Sequence, residues 1–115
     1  MSTGCLFCNI VAGTTPAQII HENDHVVAFR DIRPMAPTHA LVIPRKHITG
    51  IHDATGDDAG LLGQLLLAAR DVAEKLGLAA GGYRLVLNQG SDGGQSVLHL
   101  HCHVMGGRQM AWPPG

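Results

Sequence analysis

The sequence has few aromatic residues, no long apolar run and almost no net charge, and each absence narrows the class of protein. Two Phe, one Trp and one Tyr leave a core to be built mainly from Leu, Ile, Val and Ala. No apolar run approaches the roughly 20 residues of a membrane span. A formal net charge of −1 argues against general binding to nucleic acid. The first residues lack a basic region followed by an apolar stretch, so no signal peptide is predicted.

Cysteine is scarce and odd in number. Three cysteines cannot form a complete disulfide framework, and a reducing, cytoplasmic setting is the expected one. At 45% hydrophobic and 15% charged, the chain can bury a core and is expected to form one domain over residues 1–115. Histidine, by contrast, is abundant, with eight residues, which is more than core packing usually requires.

Hydrophobic periodicity predicts two helices and five strands. A short helix over Leu6–Val11 ends at Gly13, and a long one begins at a capping box formed by Thr55 and Asp58 and ends at Gly77. The long helix has one apolar stripe: Leu61, Leu62, Leu65, Leu66, Ala69, Val72, Ala73 and Leu76. Strands are predicted at 19–22, 26–29, 40–43, 83–87 and 97–105. Short turns between most strands imply an antiparallel sheet and the α+β class.

The last predicted strand has a histidine at every second position. Because side chains alternate along a strand, His99, His101 and His103 should share one face, while the residues between them face the core. A neutral imidazole can act as a nucleophile, and its neighbours can orient it. Two other interpretations are surface histidines on a half-exposed strand and a His-x-His metal site. The metal-hydrolase interpretation is weakened because no Asp or Glu follows within several residues.

A glycine-rich loop, Asn88–Ser96, lies directly before this run. Its glycines would let backbone N–H groups approach phosphate oxygens, and Asn88, Gln95 and Ser96 could add side-chain donors. The loop has no Gly-Lys-Ser/Thr and is therefore not a Walker motif. The alternative is a flexible connection without a ligand.

The chain from about Cys5 to Gly115 resembles the histidine triad (HIT) superfamily. His99-Leu100-His101-Cys102-His103-Val104-Met105 looks like the signature of this family, and its C-terminal Trp112-Pro113-Pro114-Gly115 is similar to the HINT branch of histidine-triad nucleotide-binding proteins. Other matching segments are Asp31-Ile32, Pro37-Thr38-His39, Val42-Ile43-Pro44, Asn88, Gly94-Gln95-Ser96 and residues 106–110. The resemblance implies a HIT-like fold with a five-stranded antiparallel sheet, one long and one short helix, and a homodimer.

The resemblance also assigns the catalytic roles. His101 would attack phosphorus and form a nucleotidyl-histidine intermediate, which water then cleaves. His103 would give a supporting hydrogen bond and a contact near the phosphate. His99 would be the first histidine of the triad, and His39 would lie behind the triad. Ser96 would hydrogen-bond near the leaving group. The implied activity is hydrolysis of purine nucleoside 5'-phosphoramidates of the AMP-amine type, with no cofactor for catalysis. The alternatives are a dinucleoside polyphosphate hydrolase and a non-catalytic nucleotide-binding protein.

The same resemblance implies a nucleotide pocket. Asp31 would accept hydrogen bonds from the ribose, where a solvated turn residue is the alternative. The purine would lie among apolar residues that can also be plain core: Phe7, Ile10, Phe29, Ile32 and Leu41. The phosphate would contact Asn88, Gly94, Gln95 and Ser96 together with His101 and His103. Arg30 and Ala111 stand where the branch often has His, so base or ribose-edge contacts at Arg30 and leaving-group contacts at Ala111 are expected to differ here.

Cys5-Leu6-Phe7-Cys8 has the spacing of half a zinc site, although this pair alone could be redox-active or incidental. Several relatives in the superfamily pair such cysteines with two histidines, and the matching positions here are His47 and His99. A structural zinc is therefore expected at these four residues.

Cys102 is expected in the core, and Trp112 is expected near the active site of the partner subunit.

Overall fold

The computed structural model describes residues 4–115, which form one five-stranded antiparallel sheet with two helices. In chain order the helices and strands are α1 (Leu6–Ala12), β1 (Ile19–Glu22), β2 (Val26–Arg30), β3 (Thr38–Pro44), α2 (Ala59–Lys75), β4 (Tyr83–Val86) and β5 (Cys102–Gly106). Short 3₁₀ turns at Ile51–Asp53 and Gly56–Asp58 precede α2. The strand order is β1-β2-β3-β5-β4, so β5 lies between β3 and β4. The predicted fold class is confirmed.

The predicted capping box starts the turn that leads into α2. The Thr55 N–H donates to Oδ2 of Asp58 at 3.0 Å, and Lys46 donates to Oδ1 of the same carboxylate at 2.7 Å. The helix then buries Leu65, Ala68, Ala69, Val72 and Ala73 against the sheet. Leu66 was expected in this stripe but is 46% exposed, because one helical step from Leu65 turns its side chain about 100° away from the sheet. Among residues 4–115, no helix is long and apolar enough to cross a membrane.

The sheet is covered on both faces. Alternate residues of the central strands contribute to an α2-side core that includes Val26, Ala28, Ala40 and Val42. The intervening residues of these strands form, with Phe7 of α1, a second and smaller group that we term the α1-side core: Phe7, Val27, Phe29, Leu41 and Ile43. Strand β2 is therefore apolar at consecutive positions. The face of the sheet toward α1 is also the face on which His39 and His103 lie.

The last strand is shorter than predicted. We expected 97–105, but ladder pairing of β5 with β3 runs only from Gly106, opposite Thr38, to Cys102, opposite Val42. Upstream of Cys102 the backbone takes other partners: the Leu100 N–H donates to the Ile48 carbonyl at 2.6 Å. Alternation nevertheless continues, because Leu100, Cys102 and Val104 are all buried in the α2-side core. His99 and His101 thus precede the strand, and only His103 is within it.

Candidate active site

Three histidine side chains converge on the α1 side of the sheet, and we term His39, His101 and His103 the nucleophile cluster. His39 lies on β3, His103 lies on β5, and His101 immediately precedes β5. The ring centroids of His101 and His103 are 4.9 Å apart, and those of His39 and His103 are 5.1 Å apart. The edge-on ring of Phe7 lies 5.2 Å from that of His101, which is only 4% exposed. Packing therefore fixes these rings before any substrate binds.

The backbone determines which nitrogen of His101 keeps a lone pair. Nδ1 of His101 lies 2.7 Å from the carbonyl oxygen of His99. Because a carbonyl oxygen can only accept, Nδ1 carries the hydrogen, and the neutral ring keeps its lone pair on Nε2. An imidazole nitrogen with a lone pair and a fixed direction has the properties of a nucleophile.

The other two rings form a directed chain of hydrogen bonds. The Met35 N–H donates to Nδ1 of His39 at 3.0 Å, so the hydrogen of that ring is on Nε2. Nε2 of His39 lies 2.9 Å from Nδ1 of His103 and can donate to it. When His39 donates in this way, His103 carries its own hydrogen on Nε2. The order of donors and acceptors gives His103 a donor for an anionic oxygen while its ring stays neutral.

Burial keeps His39 and His103 neutral. Burial, together with a smaller effect of the neighbouring rings of His101 and His39, lowers the pKa of His103 to about 4. Burial also lowers the pKa of His39, although the negative charge of Asp31 partly opposes this. At neutral pH a donor N–H rather than an imidazolium is therefore available at His103.

Asp31, the predicted ribose residue, lies beside this cluster. Its Oδ1 accepts from the Arg33 N–H at 2.8 Å, and its Oδ2 lies 3.4 Å from Nε2 of His39. Strand alternation places Arg30 with Val26 and Ala28 on the α2 side, the opposite face from Asp31. The side chain of Arg30 is therefore turned away from the carboxylate of Asp31.

Four of the five predicted purine-pocket residues lie together. Phe7, Phe29 and Leu41 are buried in the α1-side core and Ile10 packs against them. The rings of Phe7 and Phe29 meet edge to face at 5.5 Å. Ile32 is 89% exposed and lies apart from this group, one residue beyond Asp31. Val97 also packs on the α1-side core, and sequence reasoning did not assign it to the site.

The glycine-rich loop is held in one conformation by side-chain hydrogen bonds. Gln95 Nε2 donates to the carbonyls of Thr49 at 2.7 Å and Val97 at 3.2 Å, while its Oε1 accepts from Gly90 N–H at 2.9 Å. Gly90 and Gly94 have φ of 70° and 79°, which favours glycine at both positions. We expected Gln95 to offer a phosphate donor, but both amide hydrogens are used to hold the loop. Asn88 donates to the Gly93 carbonyl at 2.7 Å, and Ser96 is exposed at the end of the loop.

A second group of side chains lies next to the nucleophile cluster, and we term Cys5, Cys8, His47 and His99 the thiol cluster. Each offers one ligand atom, and all four atoms lie within 4.8 Å of one another. Nδ1 of His99 is 3.3 Å from Cys5 Sγ and 3.1 Å from Nδ1 of His47, which is in turn 3.2 Å from Cys8 Sγ. The four predicted ligands are thus brought together from α1, the segment after β3 and the segment before β5.

His99 is held in the form that a metal ligand requires. Its Nε2 lies 2.9 Å from the Pro44 carbonyl, so Nε2 carries the hydrogen and the Nδ1 lone pair faces the thiol cluster. Burial lowers the pKa of this fully buried ring and keeps it neutral. The ring of His99 therefore belongs to the thiol cluster. The backbone carbonyl of His99 contacts the nucleophile cluster, where it orients the ring of His101. Sequence reasoning missed Met35 and Pro44, because their contribution is made by the backbone.

Comparison with known proteins agrees with this geometry. The HIT domain family model matches residues 12–110. An uncharacterised HIT-like protein of Synechococcus elongatus is 48% identical over 115 residues, covering 100% of both chains. The solved structure of a HIT family hydrolase from Legionella pneumophila has a TM-score of 0.95 at 54% identity, covering 97% of this chain and 100% of that one. A histidine triad nucleotide-binding protein from Candida albicans has a TM-score of 0.82 at 29% identity, covering 96% and 83% respectively.

Proposed function

This chain belongs to the HIT family, and on that premise we propose that it hydrolyses purine nucleoside 5'-phosphoramidates of the AMP-amine type. The HIT family hydrolases among its structural neighbours support a hydrolase. The HINT branch and the phosphoramidate substrate are our own assignments, suggested by the C-terminal Trp112-Pro113-Pro114-Gly115 and by the intact histidine run. No cofactor is required in this chemistry.

The observation that carries the proposal is the environment of His101. Nε2 of this buried ring keeps a lone pair because the His99 carbonyl holds Nδ1–H. In the proposed reaction Nε2 attacks phosphorus, the P–N bond to the amine breaks, and the amine takes up a proton from solvent as it leaves. Water then cleaves the new P–N bond to give AMP and the free imidazole. His103 donates its Nε2–H to a phosphate oxygen, and Asp31 accepts from the ribose.

The test is incubation with an adenosine 5'-phosphoramidate, with AMP release followed by chromatography. Acid-stable adducts are not expected, so the intermediate should be trapped by rapid denaturation at alkaline pH and located on His101 by peptide mass spectrometry. A dinucleoside triphosphate in a parallel reaction distinguishes the alternatives. Faster cleavage of that substrate would favour a dinucleoside polyphosphate hydrolase, and AMP binding without any turnover would favour a non-catalytic protein.

We assign a structural zinc to the thiol cluster. Two sulfurs and two nitrogens form a closed tetrahedral ligand set, and bonds of about 2.3 Å to sulfur and 2.0–2.1 Å to nitrogen give edges of roughly 3.3–3.8 Å. Of the four separations between these donor atoms, 3.3 and 3.5 Å lie within that range, and 3.1 and 3.2 Å lie just below it. Such an ion would join α1, which carries Phe7, to the segment that carries His101. It supplies cross-linking rather than chemistry, since all four positions are taken by protein ligands.

We also propose a homodimer. Leu66 and Leu67 of α2 are 46% and 48% exposed, β4 is an edge strand, and Trp112 of the C-terminal tail is 82% exposed. A symmetric interface would cover these apolar groups and bring Trp112 near the site of the partner. Light scattering at micromolar concentration should give twice the mass of the chain, and Leu66→Glu with Leu67→Glu should give the monomer. A wild-type monomer would contradict the proposal. The predicted cytoplasmic location stays a prediction.

A further inference from the structure

Asp31 contacts two different parts of the site. Its Oδ1 accepts from the Arg33 N–H at 2.8 Å, which fixes the direction of the carboxylate. Its Oδ2 lies 3.4 Å from Nε2 of His39, whose side chain is 2% exposed while that of Asp31 is 18% exposed. The carboxylate therefore separates a buried ring from the accessible side of the site. A group that we assign to the ribose is also a neighbour of the histidine pair behind the nucleophile.

The Nε2 hydrogen of His39 has two acceptors within reach. Nδ1 of His103 is at 2.9 Å, within the normal hydrogen-bond range, and Oδ2 of Asp31 is at 3.4 Å, where attraction is mainly electrostatic. Because a full negative charge attracts this hydrogen, the carboxylate competes with His103 for it. When other donors satisfy the carboxylate, donation to His103 becomes stronger. The same hydrogen bond decides which nitrogen of His103 carries a hydrogen.

We propose that Asp31 is a positioning residue that transmits ribose binding to His103. The ribose hydroxyls donate to Asp31, and the hydrogen of His39 is then donated to His103 alone. His103 is thereby held with its hydrogen on Nε2, where it donates to the phosphate. The inference rests on the proposed function and adds one statement to it: the ribose hydroxyls increase the rate of turnover as well as affinity. The substrate class is accordingly that of ribonucleotides.

The kinetic test compares an adenosine 5'-phosphoramidate with its 2',3'-dideoxy counterpart. In the wild-type protein, loss of the hydroxyls should lower kcat about two- to tenfold, the range expected from one weakened hydrogen bond, and should also raise KM. Asp31→Asn keeps an oxygen for the Arg33 N–H but removes the charge, so its kcat should be nearly the same on both substrates. Asp24→Asn, in the exposed turn after β1, is the matched control and should behave as the wild type does.

A spectroscopic test needs neither a variant nor turnover. In protein labelled with ¹⁵N-histidine, AMP should shift the His103 ring nitrogens toward the pattern of the Nε2–H form, and 2',3'-dideoxy-AMP should do so less. Equal His103 signals with the two nucleotides, or a loss of hydroxyls that raises KM and leaves kcat unchanged, would overturn the inference. Either result with normal phosphoramidate turnover leaves the proposed function intact, whereas absence of turnover on both substrates refutes the proposed function itself.

Discussion

The nucleophile cluster and the thiol cluster are only two residues apart in sequence, at His101 and His99, yet the backbone prepares them for opposite tasks. In both clusters a carbonyl oxygen takes one ring N–H: that of His99 takes Nδ1–H of His101, and that of Pro44 takes Nε2–H of His99. The two carbonyls select opposite nitrogens. The lone pair of His101 is therefore on Nε2, and that of His99 is on Nδ1 among two sulfurs and a second imidazole. In the roles that we propose, one residue type serves two kinds of chemistry according to which nitrogen the backbone holds.

The largest expected effect comes from removing the nucleophile. His101→Ala should lower kcat by at least about 10³-fold, because no other lone pair is held in the same direction and the covalent route is lost. Release of AMP from an adenosine phosphoramidate provides the measurement. His25→Ala, an exposed turn residue, is the control and should keep full activity. Near-native turnover in His101→Ala would remove His101 from the role we assign.

Loss of a thiol should affect stability instead. Cys5→Ser should abolish binding of about one zinc per chain and destabilise the fold by about 2 kcal/mol or more, which corresponds to roughly 10 °C in Tm for a chain of this size. Metal analysis of protein purified without a histidine tag, together with a thermal melt, measures both. His52→Ala, an exposed histidine outside the thiol cluster, should change neither. Metal-free wild-type protein whose Tm is unchanged in Cys5→Ser would show that the cysteines are incidental.

The pH dependence of stability, measured on zinc-loaded protein, tests the lowered pKa of His103 in the nucleophile cluster. The folded pKa of His103 is lowered from 6.5 to about 4, so protonation favours the unfolded state. The stability that neutral His103 contributes is complete above about pH 6.5 and decreases as the pH falls toward 4. His103→Asn should therefore show a smaller loss of Tm between pH 7 and pH 5 than the wild type. His52→Ala should retain the wild-type slope, and an unchanged slope in His103→Asn would contradict the assigned pKa.

The sequence predicted the strands well where side chains alone determine the outcome. Short apolar segments located β1 to β4 within a few residues, and the Thr55–Asp58 spacing located the start of α2. The extent of the last strand was wrong because a tertiary hydrogen bond, from Leu100 N–H to the Ile48 carbonyl, ends its pairing with β3.

The tautomers could not be predicted for a similar reason. They depend on backbone groups of Met35, Pro44 and His99, whose positions no side-chain pattern encodes. The contacts of the Gln95 amide could not be predicted because one of its acceptors, the Thr49 carbonyl, is 46 residues away in sequence.

The smallest expected effect is that of zinc removal on the chemical step. His99 contributes a ring to the thiol cluster but only a carbonyl oxygen to the nucleophile cluster, so loss of the ion leaves the hydrogen bond to His101 available. After chelation below the melting temperature, kcat per folded molecule should fall by less than about threefold, since a histidine nucleophile needs no Lewis acid. Circular dichroism measures the folded fraction, and turnover is measured in the same sample. If activity is lost while the circular dichroism spectrum is unchanged, and added zinc restores it, the ion takes part in catalysis and the separation of the two clusters fails.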